Sequence, residues 1–309
     1  TYDNPMIYDL IFDLAWADED FDLDQWISDY LIRRYGGQSD NAEQAWELIK
    51  NANYDSGVRL TPELFGLRTG GVPKNIGKKD IGYDAEDLEN ALRLLLEDFD
   101  RFSGSEGYLY DLSEIMRQIC SNYTVLKYHE VIDARDAKDL EAFRQAKEEF
   151  LNAFDVLNEV QKTRQNQLAG EWIGKAQDRA AEYDDFSKST FEMNAKSLIT
   201  TWGSSGGSLV DYGFRTYEGM FLDLIKSNWT EYLDQVEQNL IDGTAIDVPS
   251  NTRGYIEKYW KWVIGDQDYT RDAADSPEGV LSIAQRVLDE CVFTGELDPD
   301  IGNIALDRE

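Results

Sequence analysis

An all-α fold, a bundle of roughly ten to twelve helices with little or no sheet, is what this chain predicts. Three observations carry that prediction. Apolar residues recur at i, i+3, i+4, i+7 along most of the 309 residues, which places them on one face of a helix. No stretch alternates apolar and polar residues for more than a few positions, as a half-buried strand would. Only 6 prolines interrupt the pattern, and they fall at helix starts or in the irregular segments.

The elements follow in order. "NPMIYDLIFDLAW" (4–16) opens the chain, and "QWISDYLIRRY" follows with Asp24 as its expected cap. Gly36–Gly37 ends that helix, because glycine enters the left-handed geometry of a helix terminus at little cost. Asp84, with Asp87 three residues later, resembles a capping box. The helix it starts carries Leu88, Ala91, Leu92, Leu95 and Phe99 on one face. Leu109, Leu112, Met116, Ile119 and Tyr123 repeat the stripe, and so do Phe143, Ala146, Phe150, Phe154 and Leu157. Ser276–Pro277 opens the last helix. Four segments lack periodicity: 54–83, 203–208, 243–252 and 264–276. The first is too long for a simple connector. The expected organisation is one helical domain over residues 1–293 and an irregular tail over 294–309. No fixed-length repeat is present, so a helical solenoid is not indicated.

Composition narrows the function. The chain is 42% hydrophobic and 29% charged, a globular balance rather than a disordered one. Its 61 acidic against 30 basic residues give a net charge of -31, which repels phosphate backbones and anionic lipid. Nucleic acid and membrane are therefore not expected partners. No window approaches the ~18 apolar residues of a membrane span. Cys120 and Cys291 stand in apolar helical contexts and read as buried free thiols rather than as a disulfide or a metal pair. His129 is the only histidine, so a His-rich metal site is excluded. The chain begins at a threonine, and the absence of a leader says nothing about targeting.

The usual catalytic patterns are weak here. Two carboxylates suffice for glycoside hydrolysis, but among 61 acids no pair singles itself out. "WADEDFDLDQ" (16–25) lacks the spacing of a calcium loop and reads as a solvated helix start. "GSSGG" (203–207) has neither a following Lys-Ser/Thr nor a preceding strand, so it is a turn rather than a phosphate cradle. No Ser-His pairing is evident. Aromatic residues are the unusual resource, with 8 Trp and 17 Tyr. Most belong in a core, yet exposed rings beside flexible loops suit the apolar faces of sugars.

The segment "NAKSLITTWGSSGGSLVDYGFRTYEGMFLDLIKSNWTEYL" (194–233) resembles the C-terminal helical region of the α-N-acetylglucosaminidases, glycoside hydrolase family 89. The shared pattern is an Asn-Ala-Arg-like helix end, a Thr-x-Trp-Gly turn and a Leu-x-Asp-Tyr entry into the next helix. Lys196 stands where that family tends to have arginine, and the turn is one residue longer than in some members. Further segments resemble the family in order: 4–16, 26–55, 81–97, 110–119, 168–185 and 276–288. The resemblance implies a domain that packs on an upstream (β/α)8 barrel carrying two catalytic glutamates. That enzyme would release terminal α-linked N-acetylglucosamine with retention. The nucleophile would lie just before the position matching Asn4, so no catalytic residue falls within this chain and the fragment alone is expected to be inactive. Substrate-binding roles are implied for Trp202, Leu209 and Tyr212. No cofactor or metal is implied; the partners would be the barrel and the glycan, in an extracellular or lysosomal setting. The alternative is a stand-alone helical carbohydrate-binding or interaction scaffold without catalysis. A domain parted from its barrel should expose a large apolar patch, and a self-sufficient scaffold should not.

Overall fold

The computed structural model describes residues 5–17, 20–55, 83–203, 215–244 and 252–292. Among these residues twelve α-helices form and no sheet does, as the periodicity predicts. They are α1 (Pro5–Leu14), α2 (Leu23–Tyr35), α3 (Asp40–Ile49), α4 (Ala85–Glu97), α5 (Phe99–Phe102) and α6 (Glu106–Ala137). After them come α7 (Leu140–Lys162), α8 (Ala169–Arg179), α9 (Asp185–Leu198), α10 (Ser227–Asp242), α11 (Thr252–Val263) and α12 (Pro277–Glu290). The only strand-like feature among the described residues is an isolated parallel bridge between Leu168 and Glu218. The expected tail and residues 56–82 of the long segment lie outside the described residues.

Capping explains most boundaries. The Asp22 side chain, not that of Asp24, accepts from the Gln25 amide at 3.0 Å and starts α2. Asp24 sits in the first turn instead, where its charge still favours the helix dipole. Three acids near one helix start make such an off-by-two cap easy to misplace from sequence. Gly36 ends α2 at φ 90°, and Asp84 and Ser276 cap α4 and α12 as the sequence indicates. Residues 50–55 continue α3 as a π-helical turn rather than opening the loop at Tyr54.

The longest helix, α6 with 32 residues, is the spine, and α7 returns antiparallel along it. Their turn is made by Lys138 at φ 57° followed by Asp139, whose carboxylate accepts from two amides of α7. α10 and α12 pack on this hairpin, and α3 and α4 pack on each other beside it. Phe150, Phe154, Phe221, Trp229 and Tyr128 form a chain of edge and stacked ring contacts 5.0–6.2 Å apart. Rings of this size dominate the apolar area withdrawn from water. A largely buried ion pair crosses the core: Arg34 donates twice to Asp111, at 2.7 Å each. Tyr35 donates to the same carboxylate and accepts from the Trp46 indole. Burial pushes the Asp111 carboxyl up even so, with Arg34 working against it. Such a pair is weak evidence for stability, because the cost of desolvating both charges offsets much of their attraction.

Candidate functional site

The site is built at the end of α9. Ser197 sits in the last turn, and the chain then folds back on it. The Trp202 amide donates to the Ser197 carbonyl at 2.7 Å, and the Gly203 amide donates to the Ser197 hydroxyl oxygen at 2.9 Å. The Thr201 hydroxyl donates to the Gly203 carbonyl at 3.1 Å, and Thr200 bonds back to Lys196 at 2.7 Å. Thr200 and Thr201 are buried, so their hydroxyls are committed to the backbone. This clasp forces Trp202 to φ 51°, one of only two non-glycine residues with positive φ among the described residues. A bulky residue there is strained by its Cβ. The clasp over-determines the strained conformation, and the indole beyond it is 44% exposed.

Beneath the turn, Lys196 is fully buried. Its ammonium reaches Glu192 at 2.6 Å and donates to the Gly265 carbonyl at 2.7 Å. It also lies 5.7 Å from the Trp262 ring centroid. The charge is thus paired and hydrogen-bonded, the condition for keeping an ammonium out of water. Burial raises the Glu192 carboxyl, but the hydrogen bonds from Lys196 and Gln177 outweigh it and hold the group below its ordinary value. Lys196 therefore ties the end of α9 to segment 264–276.

That segment is a strap. It runs over α8 at Gly170 and Gly174, where a Cβ at Gly170 would collide with the Thr270 and Tyr269 carbonyls. Arg271 clamps it to Asp178 and Glu171 of α8, and the Ala274 amide donates to the Lys162 carbonyl at 2.8 Å. Tyr269 donates to Asp223 and accepts from the Trp262 indole, and burial drives its phenol far above the ordinary range. The same ring fills the space a Cβ would need at Gly219, which has φ 80°. Next to it, burial raises the Glu218 carboxyl, and Lys162 opposes that shift.

Alongside the turn, α8 and α9 leave an apolar groove of about 390 Å³. Trp172, Phe191 and Leu198 give its apolar lining, and Lys175, Arg179 and Asn194 its polar edge. The Trp172 indole donates to the Ala195 carbonyl at 2.8 Å and its ring stacks on Tyr217 at 6.0 Å. Tyr183, Phe186 and Trp202 are further exposed large apolar residues on α9 and at its two ends. A second exposed apolar face lies on α1, where Tyr8, Ile11, Phe12 and Leu14 face outward and are followed by Trp16, 89% exposed. A larger pocket of about 470 Å³ between α2 and α3 is rimmed by Asp24, Asp40, Glu43 and Glu47. It is an acid-lined cleft with no exposed ring to stack a sugar. No cluster of three metal-ligating side chains occurs among the described residues, and no helix of the structure is long and apolar enough to cross a membrane.

Of the three residues implied as substrate-binding, the structure describes Trp202 and presents it outward; Leu209 and Tyr212 lie outside the described residues. Sequence reasoning did not find Trp172, Phe191 and Leu198. Their spacing in α8 and α9 reads as ordinary amphipathic helix, and only the relative placement of the two helices exposes them together. Lys196 carried a signal, a lysine in an apolar turn of helix, that composition alone could not weigh.

Comparison with known proteins agrees with this architecture. The sequence profile described as the α-N-acetylglucosaminidase (NAGLU) C-terminal domain matches residues 26–290. A human α-N-acetylglucosaminidase is 27% identical over 257 residues, covering 80% of this chain and 32% of the human protein. A family 89 glycoside hydrolase from Clostridium perfringens, solved with 2-acetamido-1,2-dideoxynojirmycin, superimposes with a TM-score of 0.82 at 28% identity. The match covers 94% of this chain and 34% of that one. A variant of the Clostridium perfringens enzyme with two glutamates changed to glutamine, bound to GlcNAc-alpha-1,4-galactose, superimposes equally well. The chain thus spans about a third of the length of these relatives.

Proposed function

Because this chain belongs to the family of α-N-acetylglucosaminidase C-terminal domains, we propose that it closes one side of the sugar pocket of a retaining glycoside hydrolase. The substrate is a glycan ending in α-linked N-acetylglucosamine. The catalytic pair of carboxyl groups, about 5–5.5 Å apart in a retaining enzyme, belongs to an upstream (β/α)8 barrel. Residues 1–293 form the helical domain that packs on it.

The observation that carries this reading is the Ser197 clasp, which holds an exposed tryptophan in a strained backbone conformation. Structural tryptophans need no such arrangement, since burial alone stabilises them. A ring fixed before the ligand arrives loses little entropy on binding. Trp202 stacks on the apolar face of the sugar, and Leu209 and Tyr212 complete an apolar and aromatic rim. The apolar faces of α1 and of the α8–α9 groove are the surfaces that the barrel covers; together they are the kind of exposed patch that a domain resting on another body leaves when seen alone.

The test is hydrolysis by the full-length protein and by this chain alone, using an aryl α-N-acetylglucosaminide and following the anomer released. The full-length protein should liberate N-acetylglucosamine with retained configuration, and the isolated chain should be inactive. A full-length protein that binds the sugar without cleaving it would instead establish a carbohydrate-binding scaffold.

A further inference from the structure

Helix α9 is held to the molecule by its last turn. Its only buried residues are Ala195, Lys196 and Ser197, and every position before them is half-buried or exposed. Apolar packing along its length therefore does little to fix where α9 ends. Lys196 is the one long side chain among the three, and it is fully buried. Its ammonium donates to the Gly265 carbonyl at 2.7 Å, just past the C-terminus of α11, where the helix dipole favours a cation. The Glu192 carboxylate closes the other side at 2.6 Å, one turn back on α9 itself. The main chain of the same lysine enters the Trp-Gly turn, for its carbonyl accepts from the Thr200 hydroxyl at 2.7 Å. The next residue, Ser197, holds the Trp202 and Gly203 amides. One residue thus joins an anchor in the core to the turn that presents the indole.

We propose that Lys196 is a positioning residue for sugar binding: through its bond to Gly265 it fixes the end of α9, and with it the ring of Trp202, against the strap. This rests on the reading above, in which Trp202 stacks on the sugar. The strap is a firm anchor because it is tied at three further points. Arg271 bonds Asp178 of α8, the Ala274 amide bonds the Lys162 carbonyl at the end of α7, and Tyr269 bonds Asp223. An apolar side chain of the same length would accept several packings, whereas a buried ammonium must reach both of its acceptors.

The consequence has a kinetic signature. A stacking wall binds the substrate and the transition state alike, so displacing it raises KM and leaves kcat nearly unchanged. A mere loss of folded protein does the opposite, lowering the apparent kcat and leaving KM as it was.

The test uses the full-length protein, its Lys196→Met, Trp202→Ala and doubly substituted forms, and an aryl α-N-acetylglucosaminide as substrate. Lys196→Met should raise KM by about fivefold or more, with kcat within about twofold. In the Trp202→Ala background the same change should alter KM by less than about twofold, because the ring it places is gone. Hydrogen exchange should show the Trp202 and Gly203 amides losing about tenfold in protection in Lys196→Met, while the amides of α6 and α7 keep theirs. Should Lys196→Met fail to fold, Glu192→Gln keeps the volume, removes the charge pair and should give a smaller rise in KM of the same pattern. Unchanged protection at Trp202 and Gly203 would overturn the proposal. So would a loss confined to kcat, or an equal rise in KM in both backgrounds. A Trp202→Ala protein with wild-type kinetics would instead overturn the pocket reading itself, and the role of Lys196 in binding with it.

Discussion

Trp202 is the residue at which local conformation and the proposed function meet. Its φ of 51° is one that glycine adopts freely and tryptophan does not. Replacing the ring separates the two roles. Trp202→Gly should melt above Trp202→Ala, by about 1 kcal/mol, since only the glycine relieves the left-handed strain. Thermal melts of the two variants check this; equal stabilities would mean that the clasp is not strained. Serine at 197 matters for its hydroxyl, which serves the Gly203 amide; the bond from the Trp202 amide goes to the backbone carbonyl and survives substitution. A Ser197→Ala variant should lose order at the turn and about 1–2 kcal/mol, the cost of a buried amide left without its acceptor. The Trp-Gly turn was legible in the sequence as a motif. Its backbone geometry was not, because positive φ at a tryptophan runs against propensity and is imposed by the Ser197 and Thr201 hydrogen bonds.

At the scale of elements, the strap over α8 decides whether the site is held in place. Two glycines of α8 lie under it with different neighbours. At Gly170 the obstruction is the backbone of Thr270 and Tyr269, and at Gly174 it is the movable end of the Arg271 side chain. Gly170→Ala should therefore cost more than about 2 kcal/mol and Gly174→Ala less than about 1 kcal/mol, read by denaturant unfolding. Similar losses at both positions would contradict the close approach. Lys196 holds the strap from the other side, and Lys196→Met should cost about 3 kcal/mol because it strands Glu192 and the Gly265 carbonyl. The helices themselves were readable from period and caps: the stripes of α6 and α7 fall where the spacing puts them, while that of α4 stops at Leu95 because the helix ends at Glu97 and Phe99 opens α5. The start of α2 was misassigned by two residues, because Asp22 and Asp24 offer the same chemistry and only backbone geometry selects one. The strap was readable only as a segment without periodicity. Its function as a tie depends on contacts to residues about a hundred positions away, which no local pattern encodes.

The whole molecule carries a net charge of -31, and its stability should respond to pH in two stages. Glu237 is held below its ordinary value by Lys147 and Arg144, and Glu290 by Arg286 and Asn152. A carboxyl lowered in the folded state stabilises above its unfolded pKa and loses that contribution as pH falls through the folded value. Asp111 and Glu218 are raised by burial, so the folded state takes up their protons first and gains stability as pH falls toward them. Self-repulsion weakens over the same range. The melting temperature should thus rise from pH 7 to about pH 5 and fall below about pH 4. Added salt at pH 7 should raise it by screening. A melting temperature that climbs steadily from pH 5 to 8 would contradict this balance.

In its proposed role this domain supplies a wall of a sugar pocket whose chemistry lies elsewhere in the protein. That role is tested most directly by kcat/KM for an aryl α-N-acetylglucosaminide, measured on the full-length protein and on its Trp202→Ala variant, with the melting temperature of each. A fall of about tenfold or more, equivalent to roughly 1.4 kcal/mol of transition-state stabilisation, with melting changed by no more than a few degrees, is the predicted result. An unchanged kcat/KM together with a lowered melting temperature would make Trp202 a packing residue and remove this domain from the pocket.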